Sequence, residues 1–447
     1  MIDMRVLINH RQLAWLTAVV LMSGGAGSIH QQILVQSRMD AWSSYFIPIL
    51  YACMVAWFFY FLHRMFPGKS IFDIFMIVAG PLIGRLLTLL MLVYIGLLLI
   101  RDLGVVSQIT KAILLPETPV EISLILLLFA LIQFGRASIE GLARFNDVFF
   151  PFFVIAIFVV PFLLIDEFSA NFIRPVLTQQ PFAILSSNLL MTGWYGDMFV
   201  MGAFLGTIAS SKQFLASAKH GILIASVVMT IYVGLEVVVL NPYVASNMVY
   251  PLFTLIQQIN LGDFLDRFDL VVLSLWFPTT FVKVAIFHSA LLIGLASLFK
   301  SRQYVGFSMQ SGLVIVMIAL LAFRNNTELY MYCTFGTLAV CILFQLPVMA
   351  LMGLLVMVKK RKSPPAYAGD VMPSKENANS ARLRLRLSIS GWRWVTRSLL
   401  VGCACSLVIG LVLSQTYPAI GNGCGIAYGV FLFLLLFSTF MEMERSL

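Results

Sequence analysis

Two short clusters of glycine and polar residues interrupt long apolar runs of this sequence. The first cluster has Ser23, Gly24, Gly25, Gly27 and Ser28, and the second has Thr192, Gly193, Trp194, Gly196 and Asp197. Glycine destabilises a helix by about 1 kcal/mol relative to alanine, so each cluster predicts a break in a helix. A broken helix offers free N–H groups to a carboxylate and free carbonyls to an ammonium group. These residues are therefore the candidate ligand-binding residues, with close helix packing at the glycines as the alternative.

Three ionisable side chains, Asp197, Glu236 and Lys283, also lie inside apolar runs. An ionisable group inside a membrane span is costly and generally has a functional or paired role. Thr279 and Thr280 precede Lys283 by four and three residues, which places all three near one helix face. Their hydroxyls and the ammonium are predicted to neutralise carbonyls at the first break, so Thr279, Thr280, Lys283 and Glu236 are the candidate ion-coupling residues. The alternative is an internal ion pair of Lys283 with Glu236 or Asp197.

Three further polar residues are predicted to have structural roles. Arg101 and Asp102 are adjacent in sequence, so they are expected to point to different helix faces and to extend toward the membrane interface. His30 follows the first break and is predicted to be a buried, hydrogen-bonded side chain instead of a proton relay.

Membrane-spanning helices are the elements that must position these residues. The chain has 447 residues, of which 60% are hydrophobic and 11% are charged, and its mean hydropathy is +0.95. Soluble domains carry about 25% charged residues, so we expect an all-α polytopic membrane protein. Apolar runs of about 20 residues can cross a bilayer, and they predict about twelve spans. The predicted spans are residues 12–35, 42–62, 82–112, 119–135, 146–165, 183–209, 219–240, 268–299, 308–323, 329–358, 395–414 and 424–441.

Lysines and arginines account for the net charge of +9 and are concentrated in alternate loops. Cytoplasmic loops of membrane proteins collect these residues, so the bias predicts cytoplasmic termini and no nucleic-acid partner. The segment 359–392 is basic and contains Pro, Ser and Asn, which predicts a cytoplasmic linker. It separates a ten-span body, residues 1–358, from a two-span appendix, residues 393–447.

The two glycine clusters occupy corresponding places in the predicted body. Each lies near the middle of the first span of a group of five, since Gly193 and Gly196 fall in span six. In transporters built from repeats, broken helices at matching positions are the best indication of the binding site that a sequence offers. The sequence therefore predicts two five-span repeats with a ligand site at the breaks.

Motifs for catalysis or for a cofactor are missing from the sequence. It has no Walker motif and no HExxH motif, and its six cysteines lack CxxC spacing. We therefore expect that the protein is not an enzyme and holds neither a metal ion nor a cofactor.

The stretch YPLFTLIQQINLGDFLDRFDLVVLSLWFPTTFVKVAIF at 250–287 resembles the spore germination permease family, the GerAB-type B subunits of nutrient germinant receptors. The early glycine-rich break and RMFPGKS after span two are also similar, and the resemblance covers about residues 10–360. It implies the amino acid–polyamine–organocation superfamily and its LeuT-type inverted repeat. It also implies a small nutrient ligand, usually an amino acid, with receptor A and C subunits as partners in the inner membrane of a bacterial endospore.

Two departures from the family pattern bear on function. The family usually ends after ten spans, so the last two spans are additional, and it often carries glutamate where Asp197 stands. The resemblance implies that nutrient binding triggers germination. A proton- or sodium-coupled amino-acid permease is one alternative, and Lys283 in the place of a sodium ion would favour protons. A ligand-free structural membrane subunit is the other.

Overall fold

Helices joined by short turns make up the described part of this chain. A computed structural model describes residues 8–23, 25–259, 268–301, 303–362 and 389–446. The helices are α1 (His10–Met22), α2 (His30–Ser37), α3 (Phe46–Met65), α4 (Ile71–Ile109), α5 (Val120–Gly135), α6 (Ile139–Leu163), α7 (Pro181–Tyr195), α8 (Ser211–Leu240), α9 (Pro242–Ala245), α10 (Pro251–Gln257), α11 (Phe268–Phe299), α12 (Ser308–Ala322), α13 (Asn326–Met331), α14 (Thr337–Lys362), α15 (Ile389–Leu413) and α16 (Pro418–Glu444).

Nine helical segments among the described residues are long and apolar enough to cross a membrane. They contain α3, α4, α6, α8, α11, α12, α14, α15 and α16. Helix α5 is also apolar but has only 16 residues. Two interrupted segments, α1 with α2 and α7 with its continuation, bring the set to the twelve predicted spans.

Both interruptions occur where the glycine clusters predict them. The first lies between α1 and α2, where a 3-10 turn covers Gly25–Gly27. The second lies at the end of α7, since the chain continues after Tyr195 as the 3-10 helix Gly196–Thr207. Gly24 lies outside the described residues. Each predicted break is therefore a real change of backbone conformation within an apolar segment.

Helix α4 is kinked at Gly80 and Pro81. Gly80 has a φ of 82°, a left-handed value that glycine adopts without strain. Pro81 has no N–H to donate to the carbonyl of Ile77, one turn earlier. The Lys359 ammonium, near the end of α14, donates to that carbonyl at 2.6 Å. This hydrogen bond fastens the end of α14 to the first part of α4.

The last two helices, α15 and α16, pack against each other, and α16 also packs against α8. At one end Glu442 of α16 lies 3.1 Å from Lys219 of α8 and 3.4 Å from Arg393 of α15. At the other end the Ser414 hydroxyl donates to the carbonyl of Leu177. The helix pair is thus attached to the preceding helices at both of its ends. Most of the predicted linker lies outside the described residues.

Candidate functional site

Four charged side chains converge at the second break and form what we call the Asp197 cluster (Arg101, Asp102, Asp197 and Lys283). Asp197 Oδ2 lies 2.7 Å from Arg101 Nη2 and 2.7 Å from Lys283 Nζ. Asp102 Oδ1 lies 2.8 Å from Arg101 Nη2, and its Oδ2 lies 3.2 Å from Lys283 Nζ. No side chain of the four is more than 2% exposed. Two cations and two carboxylates therefore balance one another inside the helix bundle.

Three segments of the bundle bring the Asp197 cluster together. Arg101 and Asp102 lie on α4, Lys283 lies on α11, and Asp197 is the second residue of the 3-10 helix after α7. Trp194 packs beside them, with its ring 3.8 Å from Arg101 Cζ and 5.0 Å from Lys283 Nζ. Such cation–π contacts are strongest where water is excluded. Trp194, the aromatic residue of the predicted site, thus stabilises the positive charges of Arg101 and Lys283.

The prediction that Arg101 and Asp102 point apart toward an interface is wrong. Arg101 Nε donates to Asp102 Oδ1 at 2.9 Å, and both side chains are buried. Neither extends to the interface, because Asp197 and Lys283 supply partners of opposite charge inside the bundle. Their position in an apolar run was the available sequence signal, since a buried ionisable residue in a span usually has a partner or a function.

Glu236 lies in a second buried group, the His30 network (His30, Tyr45 and Glu236). Glu236 Oε1 on α8 lies 2.7 Å from His30 Nδ1, and the Tyr45 hydroxyl lies 3.2 Å from His30 Nε2. All three side chains are buried. His30 is hydrogen-bonded, as predicted. Of the two partners considered for Lys283, Asp197 is the one it contacts and Glu236 is not.

The carbonyl group freed at the first break has an unexpected partner. The indole Nε1 of Trp276 donates to the Ser23 carbonyl at 3.2 Å. The hydroxyls of Thr279 and Thr280 instead donate to the Trp276 carbonyl, at 2.7 and 3.0 Å. Thr279, Thr280 and Lys283 were expected to neutralise the carbonyls at the first break. For the Ser23 carbonyl this expectation is wrong, because its partner is Trp276. All of these α11 side chains are buried, but only Lys283 reaches the Asp197 cluster.

At the second break, the Gly196 carbonyl accepts hydrogen bonds from two side chains. Gln345 Nε2 donates at 2.7 Å and the Tyr94 hydroxyl at 3.4 Å. Tyr51 supports this arrangement by donating to Gln345 Oε1 at 2.8 Å. These residues come from α14, α4 and α3. Sequence reasoning missed them because a single polar residue in a span gives no signal of which neighbour it will meet.

The break glycines differ in how closely other helices approach them. A Cβ at Gly193 would lie 2.7 Å from the backbone nitrogen of Leu338, and one at Gly196 would overlap Cys341. A Cβ at Gly25 would meet the terminal methyl of Met191 at 3.0 Å. Flexible side chains can move away and backbone cannot. Close helix packing therefore explains the glycine at position 193. At Gly25 the neighbouring Met191 side chain could move to make room for a Cβ.

The hydroxyls predicted for the site mostly bond within their own helices. Ser23 donates to the Val19 carbonyl at 2.7 Å, and Thr192 donates to the Asn188 carbonyl at 2.9 Å. Ser28 is buried at 8% exposure, and Gly27 lies against Ile109. The predicted residues thus surround the two breaks, while the strongest charges come from α4 and α11.

Four polar atoms of the Asp197 cluster are buried without a hydrogen-bond partner in the described part of the chain. Two of them, Asp102 Oδ2 and Lys283 Nζ, still form an ion pair with each other at 3.2 Å. The other two, the donor Arg101 Nη1 and the acceptor Asp197 Oδ1, have neither kind of contact. A buried unsatisfied charged group is destabilising by more than about 1 to 3 kcal/mol and calls for an explanation. Their side chains are joined by a 2.7 Å ion pair, so donor and acceptor lie close together. Such a pair can bind a carboxylate and an ammonium group.

Within the described ranges, no group of three or more His, Cys, Asp or Glu side chains is placed to hold a metal ion. The carboxylates of the Asp197 cluster face cations of the protein itself.

Two interrupted helices inside a bundle of spans define the class of protein. The structure of Mhp1, a nucleobase-cation-symport-1 family transporter in a closed conformation with bromovinylhydantoin bound, matches with a TM-score of 0.53 at 14% identity. The match covers 99% of this chain and 94% of that chain. The chain is thus a polytopic membrane protein with the predicted LeuT-type five-plus-five fold.

The sequence comparisons identify the family. Residues 7–328 match the spore permease family, described as spore germination protein. YfkT of Bacillus subtilis (strain 168) is 24% identical over 306 residues, covering 68% of this chain and 84% of its own. Spore germination protein KB of the same organism is 23% identical over 297 residues, covering 65% and 79%. The chain belongs to the spore germination permease family, which confirms the resemblance.

Proposed function

We propose that this chain is the membrane subunit of a spore nutrient germinant receptor and binds an amino acid at the two helix breaks. The observation that carries the proposal is the unpaired donor and acceptor, Arg101 Nη1 and Asp197 Oδ1, beside Trp194. An amino acid offers a carboxylate to the first and an ammonium to the second, as charge-assisted hydrogen bonds. Its charges cancel, so it adds no net charge to a cluster that is already balanced.

Burial of the Asp197 cluster links binding to a conformational change. A ligand reaches these side chains only after the surrounding helices separate. It then shifts the equilibrium between conformations by its difference in affinity for them. In a receptor this shift is the signal, passed from the body (1–358) to the A and C subunits to trigger germination.

The proposed location is the inner membrane of the endospore. Family membership supports a germination role, and the long apolar helices support integration into a bilayer. The bias of lysine and arginine toward alternate loops supports cytoplasmic termini and a cytoplasmic linker at 359–392.

A proton-coupled amino-acid permease is the second candidate, and the His30 network favours it. His30 and Glu236 form a buried acid–base pair beside the first break. Buried histidine and carboxylate side chains in contact are the usual elements of proton relays in membrane transporters. Sodium coupling has less support, because the Lys283 ammonium already supplies a positive charge to the carboxylates of Asp197 and Asp102.

A thermal-shift screen of the purified protein in detergent tests the ligand site. The panel holds L- and D-amino acids, nucleosides and sugars, and the key variant is Arg101→Lys. Lysine keeps the positive charge but lacks the forked guanidinium that presents Nη1. We expect one or a few L-amino acids to raise the melting temperature, and Arg101→Lys to weaken binding at least about tenfold.

Arg144→Lys is the matched control, because Arg144 is exposed and pairs with Glu140 on the same helix. It should bind like the wild type. Equal affinity in Arg101→Lys would contradict the site, and no stabilisation by any compound would favour the structural subunit. Uptake into proteoliposomes separates the two candidates: gradient-driven accumulation of the stabilising amino acid indicates a permease, and binding without accumulation indicates a receptor.

A further inference from the structure

A crevice of about 240 Å³ separates the last two helices from the body. It lies between α3 and α8 on one side and α15 and α16 on the other. Its lining is mainly apolar and includes Ile49, Trp57, Leu215, Leu223 and Leu400. Trp57 is 60% exposed on the outer surface of the helices. In a membrane protein such a surface faces hydrocarbon, so the crevice is accessible to lipid.

Positive charge is concentrated on the same crevice. Lys219 and Arg397 belong to its lining, and Arg393 lies beside it through the shared partner Glu442. Glu442 thus pairs with two of these three cations, Lys219 and Arg393. Arg397 is exposed and forms no ion pair within the described residues, where it lies 5.6 Å from the Trp394 ring.

We propose that this crevice binds an anionic phospholipid, with an acyl chain against its apolar wall and the phosphate at Arg397 and Lys219. Basic pockets between transmembrane helices recognise anionic head groups. A volume of 240 Å³ is too small for a protein helix, which is about 10 Å across, but accepts a hydrocarbon chain. The surplus positive charge selects an anionic lipid over a zwitterionic one.

The sequence that precedes α15 is also basic. Arg382, Arg384 and Arg386 precede α15 in the sequence, so the linker enters this helix with further positive charge. A bound lipid would contact both α3 and α15 and would fill the gap between body and appendix. The inference concerns a surface apart from the two breaks and does not depend on the proposed nutrient site.

Native mass spectrometry of the full-length protein tests the proposal. Protein in mild detergent is mixed with phosphatidylglycerol or with phosphatidylcholine of the same chain length. We expect one phosphatidylglycerol to remain bound under conditions that release phosphatidylcholine. Arg397→Gln should weaken this binding about fivefold, the typical effect of one basic residue at a membrane surface. Leu400→Trp, which fills the crevice, should abolish it.

Control variants and a competitor distinguish the contribution of the lipid head group from that of the acyl chain. Arg144→Gln and Leu126→Trp alter an exposed cation and an exposed apolar residue elsewhere, and both should bind like the wild type. Glycerol phosphate, which has no acyl chain, should not compete. Equal retention of the two lipids, unchanged binding in Arg397→Gln, or competition by glycerol phosphate would each overturn the proposal. Should Leu400→Trp misfold, Arg397→Gln still decides the outcome.

Discussion

Each helix break carries one ionisable residue, His30 at the first and Asp197 at the second, and each is paired across the bundle. Asp197 meets Arg101 and Lys283, whereas His30 meets Glu236. Arginine does not lose its proton in proteins, so the Asp197 cluster holds lasting charges. The His30 network contains no arginine or lysine, and its histidine–glutamate pair is the kind found in proton relays.

This difference indicates two uses of buried polar groups in one fold. The Asp197 cluster offers a fixed pattern of charge, which suits recognition of a ligand with charges of its own. The His30 network joins a histidine to a carboxylate, a combination that suits the transfer of a proton. The difference also predicts that removing one member of the Asp197 cluster lowers the free energy of unfolding more than removing one member of the His30 network.

The largest effect is expected from Lys283→Met. It removes one cation and leaves two buried carboxylates with Arg101 alone, a loss of about 3 to 5 kcal/mol in the free energy of unfolding. Unfolding of the detergent-solubilised protein measures this loss. Adding Asp102→Asn to Lys283→Met restores the charge balance and should recover at least half of it. An equally unstable double variant would show that packing, and not charge, is responsible.

Asp40 is a third case for this comparison, because it is a buried carboxylate that belongs neither to the Asp197 cluster nor to the His30 network. It accepts hydrogen bonds from the backbone N–H groups of Leu177 at 2.6 Å and Gln179 at 3.0 Å. Burial raises its pKa from 3.8 to about 6, against the effect of these hydrogen bonds. The folded state therefore binds the proton more tightly than the unfolded state does.

The sign of the pH dependence follows from this pKa. The stability that Asp40 contributes is fully present below about pH 4, declines as the pH rises to about 6, and is constant above. The decline is about 3 kcal/mol. Melting temperatures from pH 4 to 8 measure it, and the same series with Asp40→Asn should lack this component. Parallel pH profiles in the two proteins would exclude Asp40 as the source.

The smallest effect is expected from Glu236→Gln. The amide of glutamine can still hydrogen-bond to His30, so the loss in the free energy of unfolding should be about 1 kcal/mol. The same unfolding measurement applies. A loss as large as that of Lys283→Met would mean that the His30 network also holds fixed charges, and the contrast between the two breaks would disappear.

The helix breaks could be predicted from sequence because their cause is local. Gly25, Gly27, Gly193 and Gly196 weaken the helix in which they occur, and long apolar runs on either side reveal the spans. The corresponding positions of the clusters in the two halves then indicate the repeat. These are properties of single segments, which need no knowledge of neighbouring helices.

Partner choice could not be predicted, because it depends on the packing of distant segments. Arg101 and Asp197 are 96 positions apart, and His30 and Glu236 are 206 apart. The rule that buried charges have partners identified Lys283 and Glu236 as important. It gave Asp197 as one of two possible partners of Lys283 but could not choose between them, and it did not give His30 for Glu236. Trp276 illustrates the same limit, since its indole reaches Ser23, 253 positions away.

Lys359 illustrates that a basic residue at the end of a span can have two roles. It belongs to the KKRK run at 359–362, whose charge is predicted to orient the chain in the membrane. It also donates a hydrogen bond to the Ile77 carbonyl, which the kink in α4 leaves without its helical partner. An arginine there would preserve the orienting charge but present a planar fork to a single oxygen. A count of charges at the membrane boundary therefore misses the hydrogen bond that favours lysine over arginine at this position.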